Sequence, residues 1–502
     1  SYFNPDILKL MRRFQEQYVN RINAHTGLAY KDDPAIMGIL LTNENDITHH
    51  FGNNMLKVRG NKVHSDIFYR DIAAFAEQTG LPSDRLWQTW LPGPSKILLN
   101  HLEHRFNRTL IDDLRKMGFR TPIATTNFWG DMRISSLPAL AEGDVIDIHT
   151  YGKGESLGTN PRYESNLMPW ITAGSVHGKP VTITEWNIPY PHIDRFVGPL
   201  DIAAISSLQG WDAPMIFSYS QDGIARSITS SMWSIAPDPA IAGIMPAAAV
   251  AYRQGHISPA RREYCLMLDR SALFDLDLSP ESSATLRTLT EQSKLTIGLP
   301  GVKELPWLNR SELSSQVKVV TDPNHDYIPP GQDAVQSDTG EIARDWKQGI
   351  QTIDSPKSQS VSGWIGGKAQ ELSSATILID SPRKAVVALT SIDDQPLSSS
   401  RFILVSAVAR AQLTQKDGKS VLPFRSEPVA GTIKLKTEIK DLQLLTLGAN
   451  GRVMNRATPT ATSEGISITI PTTKGTHWYV LKSSAPAERS TTTSGSNAAG
   501  GR

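Results

Sequence analysis

The chain has 502 residues, of which 39% are hydrophobic and 20% charged, and its formal net charge is +1. This composition is that of a globular protein, with length enough for about two or three domains. The near-neutral charge argues against a nucleic-acid-binding protein, and no apolar run approaches the ~18 residues that a membrane span needs.

The single cysteine, Cys265, rules out an intrachain disulfide, and we predict that it is buried. One cysteine does not decide the compartment, because many secreted proteins also lack disulfides. The chain starts at Ser1 and shows no signal peptide. The localisation is therefore open, with a periplasmic or secreted protein favoured if a signal peptide lies upstream.

Helical patterns alternate with short apolar runs up to about residue 255. The first helix is predicted over residues 5–24, with Asn4 as N-cap and Pro5 at the first helical position. Other helical segments are expected at 64–117 (broken at 91–94), 160–177, 200–210 and 238–254. The apolar runs are AIMGILLTNEN (35–45), TPIATTNFW (121–129), DVIDIHTY (144–151), PVTITEWN (180–187) and APMIFSYS (213–220). This alternation predicts βα units around a parallel sheet.

Each of these runs is apolar at its start and polar or aromatic at its end. In a β/α barrel the active site lies at the C-terminal ends of the strands, whereas an open doubly wound sheet gathers its ligands near a switch point. The polar ends of all these runs favour the barrel. A closed barrel needs eight strands, and nothing before residue 35 reads as one. Either three strands lie in a missing N-terminal barrel segment or partner chain, or the barrel is not closed.

The pattern changes after residue 256. Residues 266–315 are mixed, and from about 316 the runs are short, β-branched and separated by turn residues, which is typical of an antiparallel β-sandwich. These runs are QVKVVTD, ATILIDS, KAVVALTSID, RFILVSAVA, GTIKLKT, LQLLTLG, GISITIP and THWYVLK. The expected domains are a partial barrel over 1–255, a sandwich with a mixed connecting segment over 256–482, and a disordered tail over 483–502.

Two glutamates stand at equivalent places, Glu44 in LLTNEN and Glu185 in TITEWN. Each ends a predicted strand among polar or aromatic neighbours. Paired carboxylates at strand ends are the groups that glycoside hydrolysis requires, since one protonates the leaving oxygen while the other attacks the anomeric carbon or activates water. The alternative is that each glutamate is a solvated loop residue.

TNEN followed at a later strand end by TEWN resembles glycoside hydrolase clan A, a β/α barrel with Asn-Glu ending strand four and Glu ending strand seven. The likeness covers residues 35–254. It implies that Glu44 is the general acid/base and Glu185 the nucleophile, and that Asn43 binds the sugar 2-hydroxyl. HTY resembles the His-x-Tyr of family 5 in this clan, which implies that His149 lies in the cleft and that Tyr151 can hydrogen-bond the nucleophile. We therefore expect both His149 and Tyr151 among the substrate-binding residues.

Aromatic residues occur at the same strand ends and offer faces on which sugar rings stack. We predict that Trp129 and Trp186 face the cleft and that Asn127 binds a sugar hydroxyl, although core packing is the alternative for the aromatic residues. The fifth run ends in FSYSQD where clan members commonly carry tryptophan, so Tyr219 or Gln221 is expected to line that wall. Trp211, in the preceding helical stretch, is assigned to the core.

Other residues and motifs are weaker candidates for a metal, substrate or phosphate site. His49 and His50 have no ligand partners at metal spacing, so they are expected to line a substrate loop, and neither a metal nor a cofactor is predicted. Arg195 either meets a substrate at the rim or pairs with a carboxylate structurally, the second being favoured. GWIGG at 363–367 lacks the context of a phosphate loop and reads as a turn.

The sequence therefore predicts an O-glycosyl hydrolase that acts on a polysaccharide or oligosaccharide with retention of configuration. One alternative is a non-catalytic carbohydrate-binding or scaffold protein built on a degraded barrel. Another is an interaction protein in which the β-sandwich carries the function. The sugar, its linkage and the mode of cleavage stay open.

Overall fold

The computed structural model describes residues 4–130, 132–152, 156–221, 232–276 and 278–484. Most of the predicted tail lies outside these residues. The helices of the first part are α1 (Pro5–Val19), α2 (Lys62–Thr79), α3 (Ser83–Leu86), α4 (Pro94–Lys116), α5 (Leu137–Leu140), α6 (Leu167–Gly174), α7 (Gly198–Gln209), α8 (Pro239–Ala242) and α9 (Met245–Arg253). Its strands are β1 (Ile39–Leu40), β2 (Ile123–Ala124), β3 (Asn127–Trp129), β4 (Ile146–Tyr151) and β5 (Val181–Asn187). Shorter helical turns lie at Tyr30–Asp32, Ile47–Phe51, Gly52–Met55, Ile134–Ser136, Ser156–Gly158 and Arg195–Val197.

Helix α1 begins as the sequence predicts. The Asn4 side chain accepts a hydrogen bond from the backbone N–H of Asp6 at 2.9 Å, and Pro5 occupies the first helical position. The helix ends at Val19 rather than at residue 24, because Ile22 and Ala29 pair in an antiparallel bridge just beyond it.

The predicted parallel strands lie side by side in chain order. Strand β1 pairs with β2, and β3, β4 and β5 form a second parallel set. The last predicted run adds to β5 through parallel bridges at Asp212 and Ile216. The parallel α/β prediction is confirmed for this part of the chain, while the residues that the structure describes do not form a closed barrel.

The segment after residue 256 forms a small parallel sheet of its own. It comprises β6 (Glu263–Met267), α10 (Arg270–Phe274), α11 (Ala284–Leu289), β7 (Lys294–Gly298) and β8 (Lys318–Val320), with strand order β7-β6-β8. Strand β8 comes from the run QVKVVTD, so its assignment to the antiparallel sandwich is wrong. Its β-branched residues identify a strand, but they do not specify its partner. Cys265 on β6 is buried, as predicted.

The rest of the chain is antiparallel, as predicted. Its strands are β9 (Ala334–Gln336), β10 (Ile342–Asp345), β11 (Ile350–Asp354), β12 (Ser358–Gly363), β13 (Gln370–Glu371), β14 (Ala375–Ser381), β15 (Ala385–Ser391), β16 (Phe402–Val408), β17 (Ala411–Lys416), β18 (Lys419–Ser426), β19 (Ala430–Lys436), β20 (Leu442–Leu447), β21 (Val453–Ala457), β22 (Thr460–Ala461), β23 (Gly465–Ile470) and β24 (Trp478–Ser483). A nine-stranded sheet, β21-β20-β24-β16-β15-β12-β11-β10-β9, faces a five-stranded sheet, β13-β14-β19-β23-β22, while β17 and β18 form a hairpin.

Strand β15 shows how the nine-stranded sheet joins the two halves of the molecule. Side chains alternate along a strand. Val387 and Leu389 pack with residues of the five-stranded sheet, whereas Val386 and Ala388 belong to the core that includes the α/β part. The sheet is therefore covered on both faces, and this explains why β15 is apolar at almost every position. None of the helices in the described residues is both long enough and apolar enough to cross a lipid bilayer.

Candidate active site

Glu44 lies in a turn just after β1, and β3 holds that turn in place. Its backbone has a φ of 45°, in the left-handed region that non-glycine residues adopt at a cost of about 1–2 kcal/mol. Its backbone N–H donates to Asn127 Oδ1 at 2.7 Å, and the next N–H, of Asn45, donates to Thr126 Oγ1 at 3.0 Å. These bonds fix the direction in which the Glu44 carboxylate points.

The structure brings Glu44 and Glu185 together around His149. One carboxylate oxygen of each glutamate and a ring nitrogen of His149 all lie within 4.8 Å of one another. His149 Nδ1 is 2.8 Å from Glu44 Oε1 and 3.5 Å from Glu185 Oε2. The Glu44 and Glu185 side chains keep 27% and 19% of their surface exposed, so both carboxylates can meet a ligand. Within the described residues, this is also the group of acidic and histidine side chains whose ligand atoms are close enough together to hold a metal ion.

A β-bulge in β5 sets the direction of Glu185. The register between β4 and β5 shifts between Asp147 and His149, so that Asp147 pairs with Thr182 but His149 pairs with Glu185. Such an extra residue re-aims the side chains that follow it. As a result, Thr182 and Thr184 both bond to Asp147 on β4. Glu185 contacts Tyr151 on the same side of that strand.

Tyr151 holds the second carboxylate. Its half-buried hydroxyl donates a hydrogen bond to Glu185 Oε2, as the resemblance implied. Burial and the bond to Glu185 both raise the pKa of Tyr151 far above its usual value, so the phenol keeps its proton and acts as a donor.

His149 lies beneath the carboxylates, with its side chain buried. The expectation that it lines the cleft as a substrate ligand is therefore wrong. In the neutral ring, Nε2 accepts from Asn127 Nδ2 at 2.8 Å, and Nδ1–H donates to Glu44. Burial alone would lower the pKa of His149, but its hydrogen bonds to Asp147 and Glu44 and the charges of Asp147 and Glu185 raise it overall. When the ring is protonated, Nε2–H can donate to Thr184 Oγ1 at 2.9 Å. Nδ1–H therefore donates to Glu44 in both states.

Asn127 is a positioning residue and not the sugar ligand that we expected. It is 0% exposed. Its Oδ1 accepts the Glu44 N–H, and its Nδ2 faces both Asp147 Oδ2 and His149 Nε2. The carbonyl oxygen and the amide nitrogen of Asn127 therefore both have protein partners, and burial keeps the side chain out of reach of a substrate hydroxyl.

Asp147 was missed by the sequence analysis. Its buried carboxylate accepts hydrogen bonds from Thr182, Thr184 and Asn127. A sequence signal did exist, because Asp147, His149 and Tyr151 alternate along one strand and must share one face.

Trp129 is held by a second buried acid. Its Nε1–H donates to Asp46 Oδ1 at 3.1 Å, and its half-buried ring stacks on His50 with the ring centroids 3.9 Å apart. Asp46 also accepts the N–H groups of His49 and His50 and contacts the His50 ring at 2.8 Å. Burial works against ionisation of Asp46, but these bonds prevail and lower its pKa. The two histidines thus belong to the loop that supports Trp129.

Trp186 lies in the core, so the prediction that it faces the cleft is wrong. It is 1% exposed and donates from Nε1 to the Pro214 carbonyl at 3.1 Å. Since Glu185 points to the cleft, its neighbour on the strand points to the opposite face. Trp211 is buried in the core, as predicted.

The wall near the fifth run includes a later segment of the chain. Tyr219 is 59% exposed, and its place in this wall stays a prediction. Trp233, which the sequence analysis missed, packs edge-on against Tyr151 with a centroid distance of 4.8 Å. The N–H of Ser218 donates to the Trp233 carbonyl at 2.8 Å, which brings this later segment alongside the run. Asn43 is exposed beside Glu44.

Arg195 has the structural role that the sequence analysis favoured. It is buried and forms a paired ion contact with Asp238, rather than with Asp194 or Asp201. It therefore offers no charge to a ligand at the rim.

No family model matches the chain, and no curated protein matches its sequence. Distant structural matches exist among glycoside hydrolases. A β-galactosidase from the psychrophilic Marinomonas ef1 aligns over 59% of this chain and 53% of its own, with 16% identity and a TM-score of 0.37. A β-galactosidase from Halorubrum lacusprofundi aligns over 96% of this chain and 83% of its own, with 10% identity and a TM-score of 0.37. An endo-β-1,4-mannanase from Thermotoga petrophila aligns over 85% of this chain and 71% of its own, with 11% identity and a TM-score of 0.28. The match spans about half the length of the Marinomonas protein.

Proposed function

We propose that the chain is a retaining O-glycosyl hydrolase with Glu185 as nucleophile and Glu44 as general acid/base. The observation that carries the proposal is that one carboxylate oxygen of Glu44 and one of Glu185 lie within 4.8 Å of each other, so the two carboxyl groups are close neighbours. Carboxyl groups about 5–5.5 Å apart are typical of retaining enzymes, whereas inverting enzymes leave about 6.5–9.5 Å for a water molecule. The assignment of the two roles comes from the resemblance to clan A.

The proposed reaction has two steps. Glu185 attacks the anomeric carbon while Glu44 gives its proton to the departing glycosidic oxygen, which leaves a glycosyl ester on Glu185. Water then attacks the same carbon, Glu44 takes the water proton, and the Glu185 carboxylate is released. Tyr151 orients the nucleophile, and His149 holds one oxygen of Glu44 so that the other faces the glycosidic bond.

The adjacent parallel strands support the interpretation that residues 35–254 form an arc of a β/α barrel. In this proposal Asn43 binds the 2-hydroxyl of the sugar, while Trp129 and Tyr219 offer apolar faces at the cleft. The antiparallel domain packs against the arc and keeps its position.

The test is hydrolysis of a panel of glycosyl fluorides, aryl glycosides and neutral oligosaccharides. Glu185→Gln and Glu44→Gln should each lower kcat by at least about a thousandfold on the substrate that is turned over, since each group supplies several kcal/mol to the transition state. Glu263→Gln is the matched control, because Glu263 is similarly exposed at 26% but pairs with Lys294 on the small parallel sheet.

The first product should retain the anomeric configuration, and NMR of the early reaction mixture reads this directly. Inversion would reject the retaining mechanism. Binding of oligosaccharides without turnover by the wild type would favour the carbohydrate-binding alternative.

A further inference from the structure

A cavity of about 750 Å³ opens beside the candidate active site. Tyr151 connects the two, because its hydroxyl donates to Glu185 while the residue also lines the cavity. The other walls come from the end of β3, at Gly130 and Arg133, and from the segment that leads into α6. Its volume lies within the ~300–1,000 Å³ that ligand pockets usually have.

The lining combines one large aromatic face with many hydrogen-bonding groups. Trp170 on α6 is half-buried at the cavity wall, and Thr150, Thr159, Ser165 and Asn166 surround it. Sugars need this combination, since their hydroxyls form hydrogen bonds while their C–H faces pack on aromatic rings.

Helix α6 makes Trp170 a rigid part of the wall. Asn166 caps the helix by accepting the Met168 N–H at 3.0 Å. Leu167, Met168 and Ile171 are buried in the core around it. The indole is therefore presented by a fixed helix, which is the arrangement that positions a binding group well.

The charges of the cavity indicate an uncharged ligand. Arg133 is accompanied by Glu164 and Glu281, both of which are exposed at the same cavity. Two carboxylates against one guanidinium would repel a phosphate or a uronic acid.

We infer that this cavity binds a further, neutral sugar unit of the substrate chain, next to the unit held between Glu44 and Glu185. The substrate is then an uncharged oligosaccharide or polysaccharide and not a simple monosaccharide glycoside. This inference rests on the proposed function and deepens it.

The kinetic test compares two substrates of the same sugar. A glycosyl fluoride has a single-atom leaving group and reaches no further than the catalytic pair, whereas a neutral oligosaccharide of three to five units extends beyond it. Trp170→Ala should lower kcat/KM for the oligosaccharide at least tenfold more than for the fluoride, and Trp170→Phe should restore most of the difference. Tyr163→Ala is the control, because Tyr163 is 75% exposed on the same segment and does not line the cavity. Equal losses on both substrates would overturn the inference.

A binding test separates this inference from the catalytic proposal. Neutral gluco-, manno-, xylo- and galacto-oligosaccharides of α and β linkage are titrated calorimetrically into Glu185→Gln, with and without Trp170→Ala. At least tenfold weaker binding in the double variant supports the cavity assignment. If the wild type hydrolyses nothing, that result contradicts the proposed function alone and leaves the cavity assignment standing. Absence of binding by every oligosaccharide, or tighter binding of an oligogalacturonide, would overturn the neutral-sugar assignment.

Discussion

Replacing Asn127 by alanine should damage both the stability and the chemistry of the molecule. The side chain is fully buried, and it joins the backbone of Glu44 to Asp147 and His149. Without it, the Glu44 N–H loses its acceptor while its backbone stays in the left-handed region, where it depends on this bond. The carboxylate should then lose its fixed direction.

The expected loss of stability follows from the bonds that are removed. A neutral hydrogen bond contributes about 0.5–1.5 kcal/mol, and one to a charged group contributes about 1.5–3 kcal/mol. Asn127 forms two of the first kind, to Glu44 and His149, and one of the second, to Asp147. The free energy of unfolding should therefore fall by about 2.5–6 kcal/mol.

Urea unfolding followed by tryptophan fluorescence measures this loss, and kcat/KM measures the chemistry. Asn100→Ala is the matched control. Asn100 is equally buried, donates to the carbonyls of Lys96 and Ser135, and accepts the Ala139 N–H, all away from the glutamates. Asn100→Ala removes three neutral hydrogen bonds, which contribute about 1.5–4.5 kcal/mol, so the stability losses of the two variants should overlap. Only Asn127→Ala should lose kcat/KM, by at least tenfold, under conditions in which both are folded.

Asn127→Asp separates the two functions of the side chain. It keeps an acceptor for the Glu44 N–H but places a second carboxylate against Asp147, so it should lose stability through charge repulsion. The reasoning is refuted if Asn127→Ala retains wild-type kcat/KM, or if the two alanine variants lose activity equally.

Three further predictions concern other buried groups. Burial and the charge of Asp46 raise the pKa of Glu103 to about 8, so its contribution to stability is complete below about pH 4.5 and is lost as the pH rises through about 8. In the wild type the free energy of unfolding should fall between pH 4.5 and about pH 8, and in Glu103→Gln it should fall less. Urea titrations at a series of pH values measure this, and an equal fall in both proteins would contradict the prediction. Trp186→Ala should lower the free energy of unfolding by about 3–5 kcal/mol in the same assay, because Trp186 is buried. The control Trp364→Ala should lower it by less than about 1 kcal/mol, because Trp364 is half-exposed. Similar losses would show that Trp186 is not a core residue. Tyr151→Phe should lower kcat by about 10–150-fold, because the carboxylate of Glu185 loses a charge-assisted hydrogen bond; wild-type kcat would reject its positioning role.

The meeting of the polar strand ends at one edge was predictable from the sequence. Each run is apolar first and polar last, and in a parallel sheet all the polar ends come to the same edge. That rule is enough to predict that Glu44, His149, Tyr151 and Glu185 lie near one another, although they are far apart in the chain. The cap at Asn4 was also predictable, because N-cap preference is local to the chain. Most of the antiparallel strands were predictable because β-branched runs separated by turn residues are a local pattern too.

The roles of individual side chains were decided by contacts between strands. Trp186 and Glu185 are adjacent, and only the bulge in β5 determines that the glutamate faces the cleft while the tryptophan enters the core. Trp233 reaches Tyr151 from a segment beyond the fifth run, and β8 joins β6 rather than the sandwich. Asn127 looks like a ligand in sequence because an amide at a strand end can bind a hydroxyl, yet it is fully buried and bonds to neighbouring protein groups. Register and partner choice depend on residues distant in the chain, so the local pattern that predicts a strand does not determine which of its side chains stay available to a substrate.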